Sequence, residues 1–222
     1  MPNLTNVDLS DNTFWNYYNA TFNDSIPFIS LSWIDIGALR PFFGYQECWS
    51  DRRVPDYTTD IVIDSLLHDC DAETELDLSR YPKLRTLTID SLRYRNVNVT
   101  KFIGMSELES VMIGLSCFNK PETGQFYVKN CPKLKSLKIG RNSFNNYNVF
   151  EIENVDALEE IEIGDVNVWS GNFFYASLKL NSVTIERKWW LDLPSLQSLK
   201  LGDSAFEYCD RVVLESRFSL FV

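Results

Sequence analysis

The chain has 222 residues, of which 45% are hydrophobic, 14% aromatic and 23% charged, so it can bury a sizeable core and is not expected to be disordered. Its 31 acidic residues outnumber 21 basic ones for a formal net charge of −10, which repels phosphate backbones and anionic membrane surfaces and excludes nucleic acid as a partner. No apolar run approaches the roughly 18 residues that cross a bilayer, so no membrane insertion is expected.

In chain order, the opening Met1-Pro2-Asn3-Leu4-Thr5 has neither the basic nor the apolar region of a signal peptide. This slightly favours an intracellular chain over one whose signal has been removed. Sequons at Asn3, Asn19, Asn23 and Asn98 would fit a secreted chain, yet arise by chance where Asn, Ser and Thr are this common. From Leu4 a pattern begins that recurs throughout: L-x-x-L-x-L-x-x-N-x-F. Its clearest copies are Leu4, Val7, Leu9, Asn12, Phe14 and Leu134, Leu137, Ile139, Asn142, Phe144. Degraded copies begin at Ile26 (Ile29, Leu31) and Thr58 (Ile61, Ile63), and another at Leu84 (Leu87, Ile89, Leu92, Tyr94). Leu108, Val111, Ile113, Ser116, Phe118 and Leu196, Leu199, Leu201, Ser204, Phe206 carry serine at the asparagine position. Further copies start at Leu158 (Ile161, Ile163, Val166, Val168) and Leu180 (Val183, Ile185, Trp190), which makes about nine repeats in one domain spanning 1–222.

The steps are 24 residues from Leu84 to Leu108, 26 to Leu134, 24 to Leu158 and 22 to Leu180. Between the copies lies a second pattern of period two, at Leu76-Asp77-Leu78, Val97-Asn98-Val99, Phe126-Tyr127-Val128, Phe150-Glu151-Ile152 and Val212-Val213-Leu214. Such alternation marks a half-buried strand. Each unit is therefore expected to send a short strand with inward anchors into one parallel sheet, and to return along an extended far side with little helix. Asn12 and Asn142 sit where the chain leaves the strand, where a side-chain amide can bond backbone groups left unpaired by the turn. Phe14, Phe118, Phe144 and Phe206 are expected to fill the interior beyond it.

These residues resemble the leucine-rich repeat superfamily, and Ala205-Phe206-Glu207-Tyr208-Cys209 is similar to the A-F-x-x-C segment of BspA-like repeats. The resemblance implies a right-handed, curved solenoid with a parallel concave sheet, used for protein recognition. Leu92, Val166 and Lys188 stand at the asparagine position in three copies, so an asparagine ladder is broken there.

Two places break the beat. Gly37 to Tyr57 carries Arg40, Phe42, Phe43, Tyr45, Trp49, Arg52 and Arg53, the residue types of an interface hot spot, or else a decayed repeat whose aromatics cover the core. The 16-residue step from Leu180 to Leu196, holding Lys188-Trp189-Trp190, is too short for its own far-side strand and predicts either a bend with Trp189 partly exposed or two tryptophans that both pack into the core. On the concave sheet the solvent-facing residues form a column of Asp8, Ser30, Val62, Thr88, Met112, Lys138, Glu162, Thr184 and Lys200. Beside it Ser10, Ser32, Asp64, Asp90, Gly114, Gly140, Gly164, Glu186 and Gly202 form a second, in which glycines leave backbone uncovered. Val62 and Met112 facing water beside those glycines would suit a partner lying along the sheet, although a strand also tolerates such residues without purpose.

Catalysis finds no support. The single histidine, His68, lies in the acidic stretch His68-Asp69-Cys70-Asp71, where a Cys–His pair would seldom reach working geometry. Glu159-Glu160, Glu162, Asp69 and Asp71 read as solvated faces, and no phosphate loop or metal-ligand spacing occurs, so no cofactor or metal is expected. Five cysteines at wide spacings read as free thiols. The ends lack polar capping segments, which predicts further repeats or a neighbouring subunit against one end. The sequence thus points to a non-enzymatic module that binds a protein through the concave sheet (Val62, Thr88, Met112, Lys138, Glu162) or through Trp49, Arg52 and Arg53. The alternative is a structural subunit held in a larger assembly.

Overall fold

A computed structural model describes residues 34–35, 58–63, 74–119, 122–181, 195–209 and 212–214. Among these, the regular elements are all strands, and no helix occurs. The chain alternates between two sheets as it coils. The first contains β1 (Ile34–Asp35), β2 (Asp60–Ile63), β4 (Thr86–Ile89), β6 (Ser110–Ile113), β8 (Ser136–Ile139), β10 (Glu160–Ile163) and β12 (Ser198–Leu201), in that order. The second contains β3 (Glu75–Asp77), β5 (Val99–Ile103), β7 (Gly124–Lys129), β9 (Tyr147–Glu153), β11 (Ser177–Asn181) and β13 (Val212–Leu214). All neighbours are parallel, so the described chain is a β-solenoid of about four turns.

Alternation decides which face each strand buries. In β2, β4, β6, β8 and β10 the second and fourth residues point inward, and Ile61, Ile63, Leu87, Ile89, Val111, Ile113, Leu137, Ile139, Ile161 and Ile163 are all at most 2% exposed. Opposite them the second sheet buries Leu76, Phe102, Phe126, Val128, Phe150 and Ile152. Each sheet covers the apolar face of the other, which neither could bury alone.

The turn out of the first sheet obeys a rule different from the expected one. Leu92, Ser116, Asn142 and Ser204 have φ of 64°, 54°, 59° and 60°, and Tyr94, Phe118, Phe144, Phe173 and Phe206 have φ between 49° and 59°. Asparagine suits the first of these positions because it tolerates the left-handed region, not because its amide bonds the turn: the Asn142 Oδ1 is buried without a hydrogen-bond partner. The carbonyl-capping role falls to the residue after the asparagine position. Cys117 Sγ donates to the Asp90 carbonyl at 3.2 Å, Ser143 Oγ to the Gly114 carbonyl at 2.8 Å, and Asn172 Nδ2 to the carbonyls of Gly140 and Ser143, both at 2.9 Å. The left-handed aromatic then enters the core. Rings of Tyr94, Phe118, Phe144, Phe173 and Phe206 stack in succession at 5.4, 4.5, 5.0 and 5.4 Å, each pair within 11° of parallel.

Three sequence alignments shift in the structure. Leu180 lies in β11 of the second sheet, beside Ile152, and does not open a unit of the first; Lys200, not Thr184, is the neighbour of Glu162. The far-side strand that the 16-residue step seemed to lack is thus β11 itself, and one turn runs from β10 to β12. At the other end Asp35, not Ser30, pairs beside Val62. Finally, Phe173 and not Val168 fills the phenylalanine position after β10, because residues 165–170 form an extra loop. The first copy from Leu4, the segment 37–57, Lys188-Trp189-Trp190, His68, Cys70 and both chain ends lie outside the described residues.

Candidate functional site

The outward face of the first sheet was one expected site. Val62, Thr88, Met112, Lys138, Glu162 and Lys200 do form a single column, each in register with the next. Met112 is 48% exposed, while Val62 and Thr88 are half-buried. Beyond Met112 the column neutralises itself. Lys138 Nζ lies 3.0 Å from Glu160 and 3.9 Å from Glu162, and Lys200 Nζ 3.9 Å from Glu162. The hydrogen bond from Lys138 holds the Glu160 carboxyl below its ordinary range and raises the lysine's own pKa. The neighbouring glycines are not open backbone awaiting a partner. A Cβ at Gly140 would lie 2.7 Å from the Gly114 carbonyl, so glycine is there because successive turns approach closely. Trp49, Arg52 and Arg53 lie outside the described residues.

A second cluster appears on the turn edge past β10, which sequence reasoning passed over. The loop 165–170 is closed on itself: Asp165 and Val168 form an antiparallel bridge, and Trp169 pairs in parallel with Asp203 of the next turn. Ser170, fully buried, anchors it, with its Oγ accepting the Asp165 N–H at 2.7 Å and donating to the Val168 carbonyl at 2.9 Å. Asp165 Oδ1 accepts the Asn167 N–H at 2.8 Å. Gly171, at φ 55°, lets the Trp169 indole lie against the backbone, where a Cβ would sit 2.9 Å from the ring.

Four aromatic rings meet at this edge. Phe174 touches Trp169 (centroids 6.4 Å), Tyr175 (5.4 Å) and Tyr208 (4.8 Å), all edge to face, and Tyr175 and Tyr208 stack at 5.8 Å. The backbone ladder holds them in place, since Phe174 N–H donates to Asn145 O at 3.0 Å and Tyr208 N–H to Phe174 O at 2.9 Å. Trp169 is 53% exposed, Tyr175 and Tyr208 57%, and Val166 and Val168 on the loop 60% and 42%. The signal was present as Val166-Asn167-Val168-Trp169 followed by Phe173-Phe174-Tyr175, but assigning Val168 to the core position concealed the insertion that displays them.

The remaining chemistry is spare. Among the described residues no group of three or more His, Cys, Asp or Glu side chains could hold a metal ion, and no helix is long and apolar enough to cross a membrane. Cys117 and Cys131 are buried and in no disulfide, with Cys131 Sγ donating toward the Phe102 carbonyl at 3.3 Å. Burial raises the Cys131 pKa to about 11, leaving it a poor nucleophile at neutral pH. Comparison with protein-family models, with curated proteins and with solved structures finds no match.

Proposed function

We propose that this chain is a non-enzymatic protein-binding module of the leucine-rich repeat type, similar to BspA-like repeats, and that it engages its partner through the aromatic edge at Trp169, Tyr175 and Tyr208. The observation that carries the reading is that three large aromatic side chains, each more than half exposed, lie together on backbone pinned by ladder hydrogen bonds. Exposed aromatics on a rigid support combine large contact area with low ordering cost, the combination that dominates binding hot spots. The first-sheet face is the weaker surface, because from Lys138 onward its charges already satisfy one another.

The test is a quantitative pull-down from extract of the source cells with three proteins: wild type, the double variant Trp169→Ala with Tyr208→Ala, and Met112→Arg. Circular dichroism checks that each is folded. The double variant is expected to lose a partner that Met112→Arg retains. Retention of every wild-type partner by the double variant sinks this reading, and loss through Met112→Arg alone moves the site to the first sheet.

A further inference from the structure

We infer that the aromatic edge accepts an arginine-bearing segment of the partner protein, an inference that rests on the binding function proposed above. The two stretches that build the edge, Gly164 to Tyr175 and Gly202 to Cys209, contain three charged residues, Asp165, Asp203 and Glu207, and all three are acidic and exposed. Trp169 pairs with Asp203 across adjacent turns, and Glu207 adjoins Tyr208. None of the three forms an ion pair among the described residues.

Several carboxylates elsewhere in the solenoid pair across turns. Glu75 meets Lys101 at 2.6 Å, Glu107 meets Lys133 at 2.7 Å, Glu109 meets Arg85 at 3.0 Å and Glu151 meets Lys129 at 2.6 Å. At the aromatic edge the apolar rings stand beside three exposed carboxylates that form no ion pair among the described residues. A guanidinium answers both features, because its plane stacks on indole and phenol rings while its N–H fork pairs with a carboxylate. A lysine ammonium supplies charge without the planar stack. An acidic segment would be repelled.

Binding of fluorescein-labelled peptides of alternating Arg and Gly, Lys and Gly, and neutral citrulline and Gly, followed by anisotropy at about 0.15 M salt, tests this. The arginine peptide is expected to bind at least about fivefold more tightly than the lysine peptide, and the citrulline peptide not measurably. Asp203→Asn with Glu207→Gln, and separately Trp169→Ala, should each weaken the arginine peptide about tenfold. Glu75→Gln with Glu107→Gln removes the same net charge far from the edge and should leave affinity within about twofold. Equal binding of the arginine and lysine peptides, equal loss in the distant pair, or no binding of the arginine peptide overturns the inference. In any of those cases, loss of the pull-down partner with Trp169→Ala and Tyr208→Ala would still uphold the binding function, so the two failures are distinguishable.

Discussion

Asn172 is fully buried, and its amide nitrogen satisfies two backbone carbonyls belonging to the turn before it. Cys117 and Ser143 occupy the equivalent place in earlier turns with one side-chain donor each, and Ala205 occupies it in the last with none. Asn172→Ala should therefore cost about 1–3 kcal/mol, because it strands one buried and one part-buried carbonyl; urea denaturation measures it, and a cost under about 0.5 kcal/mol would show that the carbonyls find other donors. Cys131 gives a residue-level prediction with a pH dependence. Its folded pKa of about 11 lies above the ordinary 9.0, so folding favours the neutral thiol. The stabilisation is complete below the ordinary value and is lost as pH rises to about 11, where the folded chain also releases the proton. Site-resolved alkylation followed by mass spectrometry at pH values across that window should find Cys131 protected in the native protein and modified on unfolding. The residue pattern was legible in the sequence up to a point. It marked Asn142 as the turn residue, but only coordinates distinguish a side chain chosen for its left-handed backbone from Ser143, the neighbour that makes the hydrogen bond.

At the level of elements, the second sheet ends in its own left-handed column, Gly104, Asn130 and Asn154, with φ of 69°, 55° and 55°. Gly104 N–H donates to Lys129 O at 2.9 Å, Asn130 N–H to Glu153 O at 3.0 Å, and Asn154 Nδ2 to Asn130 Oδ1 at 2.8 Å. Asn130→Gly and Asn130→Val both delete the side-chain bond, so that loss cancels in the difference between them, which sets left-handed strain in valine against the larger backbone entropy that glycine loses on folding. The valine variant should be less stable than the glycine variant by about 1–2 kcal/mol in thermal or urea unfolding. Equal stabilities would mean that the strand end relaxes out of the left-handed region. The far-side strands themselves were readable from period-two alternation at Phe126-Tyr127-Val128 and Phe150-Glu151-Ile152, because a half-buried strand writes its two faces into alternate residues. The loop 165–170 was not readable. It is an insertion inside an otherwise periodic pattern, and a spacing argument absorbs such an insertion by assigning the wrong residue to the next anchor.

Across the whole molecule, the five stacked rings from Tyr94 to Phe206 run through successive turns, with Phe126 and Phe150 meeting them from the second sheet. A central ring therefore joins two neighbouring turns as well as the two sheets. Phe144 touches Phe118, Phe126, Tyr147 and Phe173, and Phe144→Ala should cost about 3–5 kcal/mol and weaken hydrogen-exchange protection in both adjoining turns. Protection lost in its own turn alone would show that the turns fold more independently than the continuous stack implies.

The amino-acid order by itself determined the alternation of extended elements, the steps of 24 and 26 residues and the inward anchors of the central turns, because burial of one strand face is a local property repeated at fixed intervals. It also placed Val62, Thr88, Met112, Lys138 and Glu162 in one column, since parallel strands of equal register carry equivalent positions side by side. Only the tertiary structure decided that Leu180 belongs to the second sheet, that Lys138, Glu160, Glu162 and Lys200 lie close enough to neutralise one another, and that Trp169, Tyr175 and Tyr208 emerge together. Those facts depend on which turn stacks on which, and distance across turns is set by packing of residues far apart in the chain, which no local period encodes.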